Sequence, residues 1–347
     1  MGTNNQDYKG QIAMIRSYIR GTGSYLPPGV VSNEDLARRM PTTDEWIRAR
    51  TGIEERRFAD EGTSCSDLAY EASRAALSDS GIEPSDVDLI IFATLSPDHH
   101  FPGSGCYLQA KLSQLGVRTI GCLDVRNQCT GFLYSLSIAD AYIRAGIYSN
   151  ILVIGSEVHS SALDFSEKGR DVTSLFGDGA GAVILSRHEG DGRGIISTEL
   201  HADGHYAKAL YMDIWDISRK PYISGESINQ GDIWPRMDGK VVFKHAINGL
   251  IGLCQNTLSR AGYEIGDLKY VIPHQANLRI NQAVAERLGI PDNKVLNNIQ
   301  KYGNTTAASI PILLDEAHKL GVLDKGDLLL LLAFGSGFTW ASALLRW

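Results

Sequence analysis

The chain has 347 residues, 43% of them apolar and 21% charged, with a formal net charge of -7. This describes a globular protein with ample core and room for two domain-sized units, and its acidity argues against general nucleic-acid binding. Five cysteines, Cys65, Cys106, Cys122, Cys129 and Cys254, are widely spread without a C-x-x-C pair. That spacing speaks against a disulfide framework or a structural zinc site and for a reducing, cytoplasmic compartment.

Residues 1–13 are polar and lack the apolar run of a signal peptide, so they read as a disordered extension ahead of the folded part. Ile15 to Ile19 has the pattern of a strand leading to Gly21-Thr-Gly23 and a turn at Pro27-Pro28-Gly29. Ser32 and Thr43 are N-cap candidates for two short helices, and Ser64 or Ser66 opens a longer one to Ser80. Asp88 to Ser96 is a nearly continuous apolar strand, the kind covered on both faces. Pro102 to Leu115 reads as helix, Val117 to Val125 as extended chain, and Phe132, Leu136, Ala139 and Ile143 as one face of a helix. Strands follow at Ile151–Ser156 and Ala182–Ser186. Alternating strands and helices predict an α/β fold with βαβ units and a largely parallel sheet. The longest apolar run, Leu328 to Phe334, is too short to span a bilayer.

The second part of the chain repeats the first. Leu77-Ser78, Gly81, Glu83 and Asp86 recur at constant spacing as Leu258-Ser259, Gly262, Glu264 and Asp267, each set ending a helix before a buried strand. Phe176-Gly-Asp-Gly179 is echoed by Phe334-Gly-Ser-Gly337. Two similar halves are expected, 14–190 and 191–347. Tyr206 to Pro235 breaks the pattern. It is too aromatic for a disordered linker and reads as an ordered loop, either a pocket wall or a dimer contact.

Cys129 falls where a strand gives way to a helix, and the N–H groups and positive dipole end of that helix would favour a thiolate. The alternative is a buried cysteine at an ordinary strand end. His274 directly follows the strand Tyr270–Pro273, and Asn304 lies in a turn before a helix, where it reads either as a hydrogen-bond donor or as an N-cap. His201 and His205 lack a third ligand, and Gly177-x-Gly179 leads into a strand rather than a helix, so metal and dinucleotide readings are rejected. A papain-like protease also combines Cys, His and Asn, but the surroundings of Cys129 lack that signature.

The other reading rests on Gly21-Thr-Gly-Ser-Tyr-Leu-Pro27, Asp44-Glu-Trp-Ile47, Arg50-Thr-Gly-Ile53, Asp124 to Phe132, Phe176-Gly-Asp-Gly-Ala-Gly181, His201-Ala-Asp-Gly204, Pro273 to Ile280, Gly303-Asn-Thr305 and Gly337-Phe-Thr-Trp340. On these residues the chain resembles β-ketoacyl-acyl-carrier-protein synthase III, of the thiolase superfamily. The resemblance implies a five-layer αβαβα thiolase-like fold, a homodimer, and no cofactor or metal. It implies condensation of an acyl-CoA primer, held on Cys129, with malonyl-acyl-carrier protein. His274 and Asn304 would promote decarboxylation, and the backbone N–H groups of Cys129 and Ser336 would form the oxyanion hole. Thr42, Trp46, Arg50, Arg170 and Asn277 match CoA-contacting positions. Phe101 matches a residue that reaches the partner's acyl pocket, and Lys244 and Arg279 match basic residues that attract the acidic carrier protein. Three departures from the family pattern are Ser336 for a glycine, and Gln128 and Thr130 beside the cysteine. The alternatives are a relative priming a secondary-metabolite pathway and an acyl-binding protein without condensation.

Overall fold

The buried strands dictate the layering. In Leu89–Ala93 every residue is buried; Leu89 and Ile91 join one core, Ile90 and Phe92 another. Leu328–Gly335 does the same, with Leu329 and Leu331 on one side and Leu328, Leu330 and Leu332 on the other. Successive strand residues face opposite ways, so a strand apolar at every position must be covered on both faces.

A computed structural model describes residues 15–347; the extension expected at 1–13 lies outside them. The elements that build the fold are, in chain order, β1 (Arg16–Tyr25), α1 (Asn33–Ala37), α2 (Asp44–Thr51), α3 (Cys65–Ser80), β2 (Leu89–Ala93), α4 (Ser104–Leu112), β3 (Gly121–Val125), α5 (Gly131–Arg144), β4 (Asn150–Glu157), β5 (Gly179–His188), β6 (Gly194–Ala202), α6 (Gly239–Ala261), β7 (Tyr270–Pro273), α7 (Leu278–Leu288), α8 (Ser309–Lys319), β8 (Leu328–Gly335) and β9 (Thr339–Arg346). One sheet has the order β1-β5-β4-β2-β3 and the other β7-β8-β9-β6. Helices α5 and α8 share the core between the two sheets. Helices α3 and α4 cover the outer face of the first sheet, α6 and α7 that of the second. The result is the five-layer αβαβα arrangement of the thiolase-like fold.

The sheets are mixed, which corrects the expectation of a largely parallel sheet. β2 runs parallel to β3 and β4, and β7 to β8, but β5 is antiparallel to both β1 and β4, and β9 to both β8 and β6. The parallel pairs of the first sheet have helical crossovers, α4 and α5. By contrast, β8 and β9 are joined by a tight turn that only an antiparallel pair can use.

Ser32, Thr43 and Ser64 cap α1, α2 and α3 as their spacing predicts, each accepting a backbone N–H three residues on. The first strand runs on past Ile19 to Tyr25 because Gly23 lets α3 close in; a Cβ there would lie 2.3 Å from the Ala72 carbonyl oxygen. The segment after Val117 becomes a strand only at Gly121. The two echoed sequences fold alike: α3 and α6 end in left-handed Gly81 and Gly262, followed by a 3-10 turn and then β2 or β7.

Candidate active site

Cys129 lies in a 3-10 turn, Gln128–Thr130, between β3 and α5, and is buried. Two side chains pin this turn to the end of β8. Thr130 Oγ1 donates to the Asn127 carbonyl and accepts from Thr339 Oγ1, both at 2.8 Å, and the Ser336 carbonyl lies 3.2 Å from Thr339 Oγ1. Gly335 packs directly on the cysteine, where a Cβ would lie 2.9 Å from Cys129 Cβ. The backbone of Ser336 is thereby held beside Cys129. Serine stands there without strain, since the non-glycine residues with positive φ are Gln128 and Thr306 among the described residues.

Burial pushes the Cys129 thiol up to about 12, with the charge of Glu157 adding to the effect and a hydrogen bond from its own N–H opposing it. The expectation that the helix end favours a thiolate is therefore corrected. Helix α5 begins two residues after Cys129, and burial is the largest influence on the thiol.

His274 follows β7 at once, and its N–H donates to the Leu332 carbonyl at 2.7 Å. Its Nδ1 bonds Ser309 Oγ at 2.6 Å, while Nε2 is buried with no hydrogen-bond partner. Burial lowers its pKa to about 3, so the ring is neutral. Asn304 is held by three bonds: its N–H donates to the Leu175 carbonyl (2.8 Å), its carbonyl accepts from Gly177 (3.1 Å), and its Oδ1 accepts the Thr306 N–H (2.8 Å). The last is the capping role. With Oδ1 committed, Nδ2 is left as the outward donor, and it bonds no described residue.

One segment, 304–309, connects these groups. Asn304 begins it and Ser309 orients His274. Its 3-10 turn Thr306–Ala308 packs on the turn of Cys129, and a Cβ at Gly131 would meet Ala307 Cβ at 3.7 Å. Glu157, wholly buried, also reaches this segment. It accepts the Leu95 and Ser96 N–H groups, the Ser96 and Thr94 hydroxyls and the Ala307 N–H. Burial raises its carboxyl to about 7 against these donors. Sequence reasoning singled out neither Glu157 nor Ser309, because an acid ending a strand and a serine inside a helix carry no local signature.

A cavity of about 1290 Å³ opens beside Cys129, walled by Leu95, His159, Thr306, Ser336, Tyr211 and Trp215 among others. The aromatic segment 206–235 thus serves as a pocket wall; Trp215 stacks on His100 with centroids 4.7 Å apart. The other residues matched to family positions lie outside the cavity lining. Trp46 carries the Arg50 guanidinium 4.5 Å and the Arg170 guanidinium 4.4 Å from its ring centroid. Thr42 Oγ1 and Arg170 Nε are buried without partners among the described residues. Asn277 is already engaged: it caps α7 through the Arg279 N–H and donates Nδ2 to the Arg50 carbonyl at 3.0 Å. Phe101 is 82% exposed. Lys244 and Arg279 are exposed on neighbouring helices, and among the described residues neither has an ion pair.

A buried cysteine, and a histidine and an asparagine that carry free hydrogen-bonding atoms and are held by the segment packed on its turn, all within an αβαβα core, define a condensing acyltransferase of thiolase type. Comparison with known proteins places it further. Family models described as 3-oxoacyl-[acyl-carrier-protein (ACP)] synthase III and as its C-terminal part match residues 123–204 and 258–347. The β-ketoacyl-[acyl-carrier-protein] synthase III of Xanthomonas axonopodis pv. citri is 45% identical over 333 residues, covering 96% of this chain and 99% of that protein. The crystal structure of 3-oxoacyl-[acyl-carrier-protein] synthase III from Aquifex aeolicus superposes with a TM-score of 0.86 at 43% identity, covering 95% of this chain and 100% of the other. The priming β-ketosynthase of the R1128 polyketide pathway superposes with a TM-score of 0.85 at 32% identity, covering 95% and 96%. The chain belongs to the β-ketoacyl-acyl-carrier-protein synthase III family. Its activity is the decarboxylative condensation of an acyl-CoA primer with malonyl-acyl-carrier protein through an acyl-cysteine, the step that initiates fatty acid biosynthesis. Among the described residues no helix is long and apolar enough to cross a membrane, and no group of three or more His, Cys, Asp or Glu could hold a metal ion.

Proposed function

We propose the following roles for the residues of this site. Cys129 Sγ attacks the acyl-CoA thioester carbonyl; the new S–C bond forms as the CoA sulfur leaves as thiol. Because burial holds the Cys129 thiol protonated, attack needs a proton acceptor, and the neutral His274 with its unpartnered Nε2 suits that task. The N–H groups of Cys129 and Ser336 receive the oxyanion of each acyl transfer. In the second half-reaction His274 carries its proton on Nε2, with Nδ1 accepting from Ser309 Oγ, and Nε2–H and Asn304 Nδ2 donate to the thioester oxygen of the malonyl group. Carbon dioxide leaves, the enolate carbon attacks the acyl-Cys129 carbonyl, the Cys129 S–C bond breaks to release the 3-oxoacyl-carrier protein, and the freed sulfur takes up a proton from water. Fixed donors aimed at a developing enolate oxygen lower that barrier without reorganisation.

The observation that carries this reading is the 304–309 segment, which joins Asn304, the Ser309 partner of His274 and the turn of Cys129. Loss of condensation would leave these three groups without a common purpose, which disfavours a mere acyl-binding protein. Trp46 and Arg170 would clamp the CoA adenine, with Arg170 moving off the Trp46 ring to admit it. Thr42, Arg50 and Asn277 would line the way in, with Asn277 acting through its hold on the Arg50 backbone. Lys244 and Arg279 would attract the acidic carrier protein. Phe101 would enter a partner's pocket in a homodimer. The two halves, 14–190 and 191–347, would descend from one duplicated unit. The enzyme would work in the cytoplasm without a cofactor.

Intact-mass measurement after incubation with acyl-CoAs, followed by carbon dioxide release from malonyl-carrier protein, tests the reading. The wild type is expected to gain one acyl mass, and Cys129→Ser none; equal gains would refute the nucleophile. Charge reversal at Arg279 or Lys244 is expected to raise KM for malonyl-carrier protein more than for acyl-CoA. Equal changes would refute a carrier patch. A monomer by light scattering at micromolar concentration would refute the role of Phe101.

A further inference from the structure

The cavity beside Cys129 is not uniformly apolar. Two polar side chains in its lining, Gln128 and His159, have hydrogen-bonding atoms that no described residue satisfies. Gln128 immediately precedes the nucleophile, and its side chain makes no hydrogen bond among the described residues. His159 is held rigidly. Its backbone N–H donates to Asp178 Oδ1 at 2.7 Å, and its Nε2 bonds Thr306 Oγ1 at 2.6 Å. Its ring also packs on Phe176 with centroids 4.5 Å apart. Among the described residues Nδ1 alone of its nitrogens is left without a partner, and it is not among the fully occluded unpaired atoms. An ordinary core histidine would have both nitrogens satisfied or sealed away. This one is fixed on the cavity wall, and Thr306, its partner, belongs to the turn that packs on Cys129.

We infer that the acyl end of the site accepts a primer bearing a hydroxyl group near its thioester, a short hydroxyacyl-CoA, read by His159 Nδ1 and Gln128. This rests on the proposed acyl-cysteine reading. A saturated alkyl chain would bury an imidazole nitrogen and an amide with nothing to bond, which is unfavourable. A hydroxyl both donates and accepts, so it satisfies Nδ1 in either tautomer and the Gln128 amide in either orientation. Placement of Gln128 next to Cys129 puts the recognised atom within the first few carbons of the chain. The chemistry is unchanged: the Cys129 S–C bond forms, the CoA S–C bond breaks, and CoA leaves as thiol. The enzyme supplying this primer would be of the class that reduces a 3-oxoacyl thioester or hydrates an unsaturated one.

The test is the ratio of acylation kcat/KM for 3-hydroxybutanoyl-CoA over butanoyl-CoA, each enantiomer separately, by intact mass. The wild type is expected to favour one hydroxy enantiomer by about tenfold or more. His159→Leu is expected to bring the ratio within about threefold of unity. His159→Asn, whose amide lies near the position of Nδ1, should restore part of the preference. If the leucine variant does not fold, His159→Gln carries the test: its amide extends towards Thr306, leaves the Nδ1 position empty, and should lose the preference as well. A wild-type ratio near one, with both primers loading Cys129, overturns the inference and leaves the acyl-cysteine reading intact. A preference that survives in the leucine or glutamine variant also overturns it. Failure of every acyl-CoA to load Cys129 overturns the acyl-cysteine reading itself.

Discussion

The turns Gln128–Thr130 and Thr306–Ala308 are built alike and used differently. Each is a 3-10 turn leading into a helix of the central layer, α5 or α8. Each starts with a non-glycine residue at positive φ, 43° at Gln128 and 49° at Thr306, the two such residues among those described. The first turn carries Cys129 at its second position; the second carries Ala307. Having no nucleophile to present, the second turn spends its polar atoms on support. Thr306 N–H holds Asn304, Thr306 Oγ1 holds His159, Ala307 N–H reaches Glu157, and Ser309 just beyond it holds His274. One backbone device thus appears once as the proposed reactive centre and once as a scaffold. The difference lies in which side chain occupies the same place.

Giving the two turns the same middle residue is the severest break. Cys129→Ala should abolish acyl loading and lower condensation by about a thousandfold or more. Carbon dioxide release from malonyl-carrier protein, the work of the other turn's clients, should persist. Loss of both activities would show that the turns do not divide the labour.

The next test separates the two clients of the scaffold turn. Asn304→Ala should lower decarboxylation by about a hundredfold and leave acyl loading near normal. His274→Ala should lower both, because its imidazole also takes the Cys129 proton. Pre-steady-state loading measured by mass, set against carbon dioxide release, distinguishes them; equal loading rates in the two variants would remove His274 from the first half-reaction.

Glu157 joins the two turns electrostatically. Its carboxyl is raised from 4.5 to about 7, so the folded state keeps a proton that the unfolded state releases. That contribution to stability is complete below pH 4.5 and is lost as pH rises through about 7, on the order of 3 kcal/mol in all. His159 and His274, both lowered to about 3, act in the opposite sense below 6.5. The difference between wild type and Glu157→Gln therefore isolates the acid. Denaturant unfolding from pH 4.5 to 7.5 should show stability of the wild type falling relative to the variant. Parallel profiles would contradict a raised pKa. Alkylation of Cys129 at pH 8 should be a few-fold faster in the variant, because a neighbouring negative charge is gone.

The smallest effect compares the strained residues themselves. Glycine tolerates positive φ, so Gln128→Gly should raise the melting midpoint by about one or two degrees. Thr306→Gly should gain the same relief but lose the bond to His159, worth about 1 kcal/mol, and show no rise. Equal shifts, measured by calorimetry, would mean that Thr306 supports nothing.

Much of this was legible along the chain because it is local. The caps at Ser32, Thr43 and Ser64 need only a side chain and an N–H three residues away. The doubly buried strands declare themselves by unbroken apolar runs, and the echo of α3–β2 in α6–β7 is a matter of spacing. Cys129, His274 and Asn304 stood out because each sits at the junction of two local patterns. What sequence reasoning read wrongly was collective. The dipole of α5 is local and argues for a thiolate, whereas the desolvation that raises the thiol pKa comes from layers of chain distant in sequence. The sheets were expected to be largely parallel, because alternation of strand and helix says nothing about which edge β1 and β5 take.

The sequence by itself determined the elements, their two-sided burial, the repetition between halves and which side chains are the candidates for the reaction, because these follow from residue type and short-range spacing. Tertiary structure alone decided the protonation of Cys129, the partnering of His274 with Ser309, the burial of Glu157 between two turns, and the unpaired Nδ1 of His159 on the cavity wall. Each of these depends on atoms brought together from segments far apart in the chain, and on the water that their meeting removes.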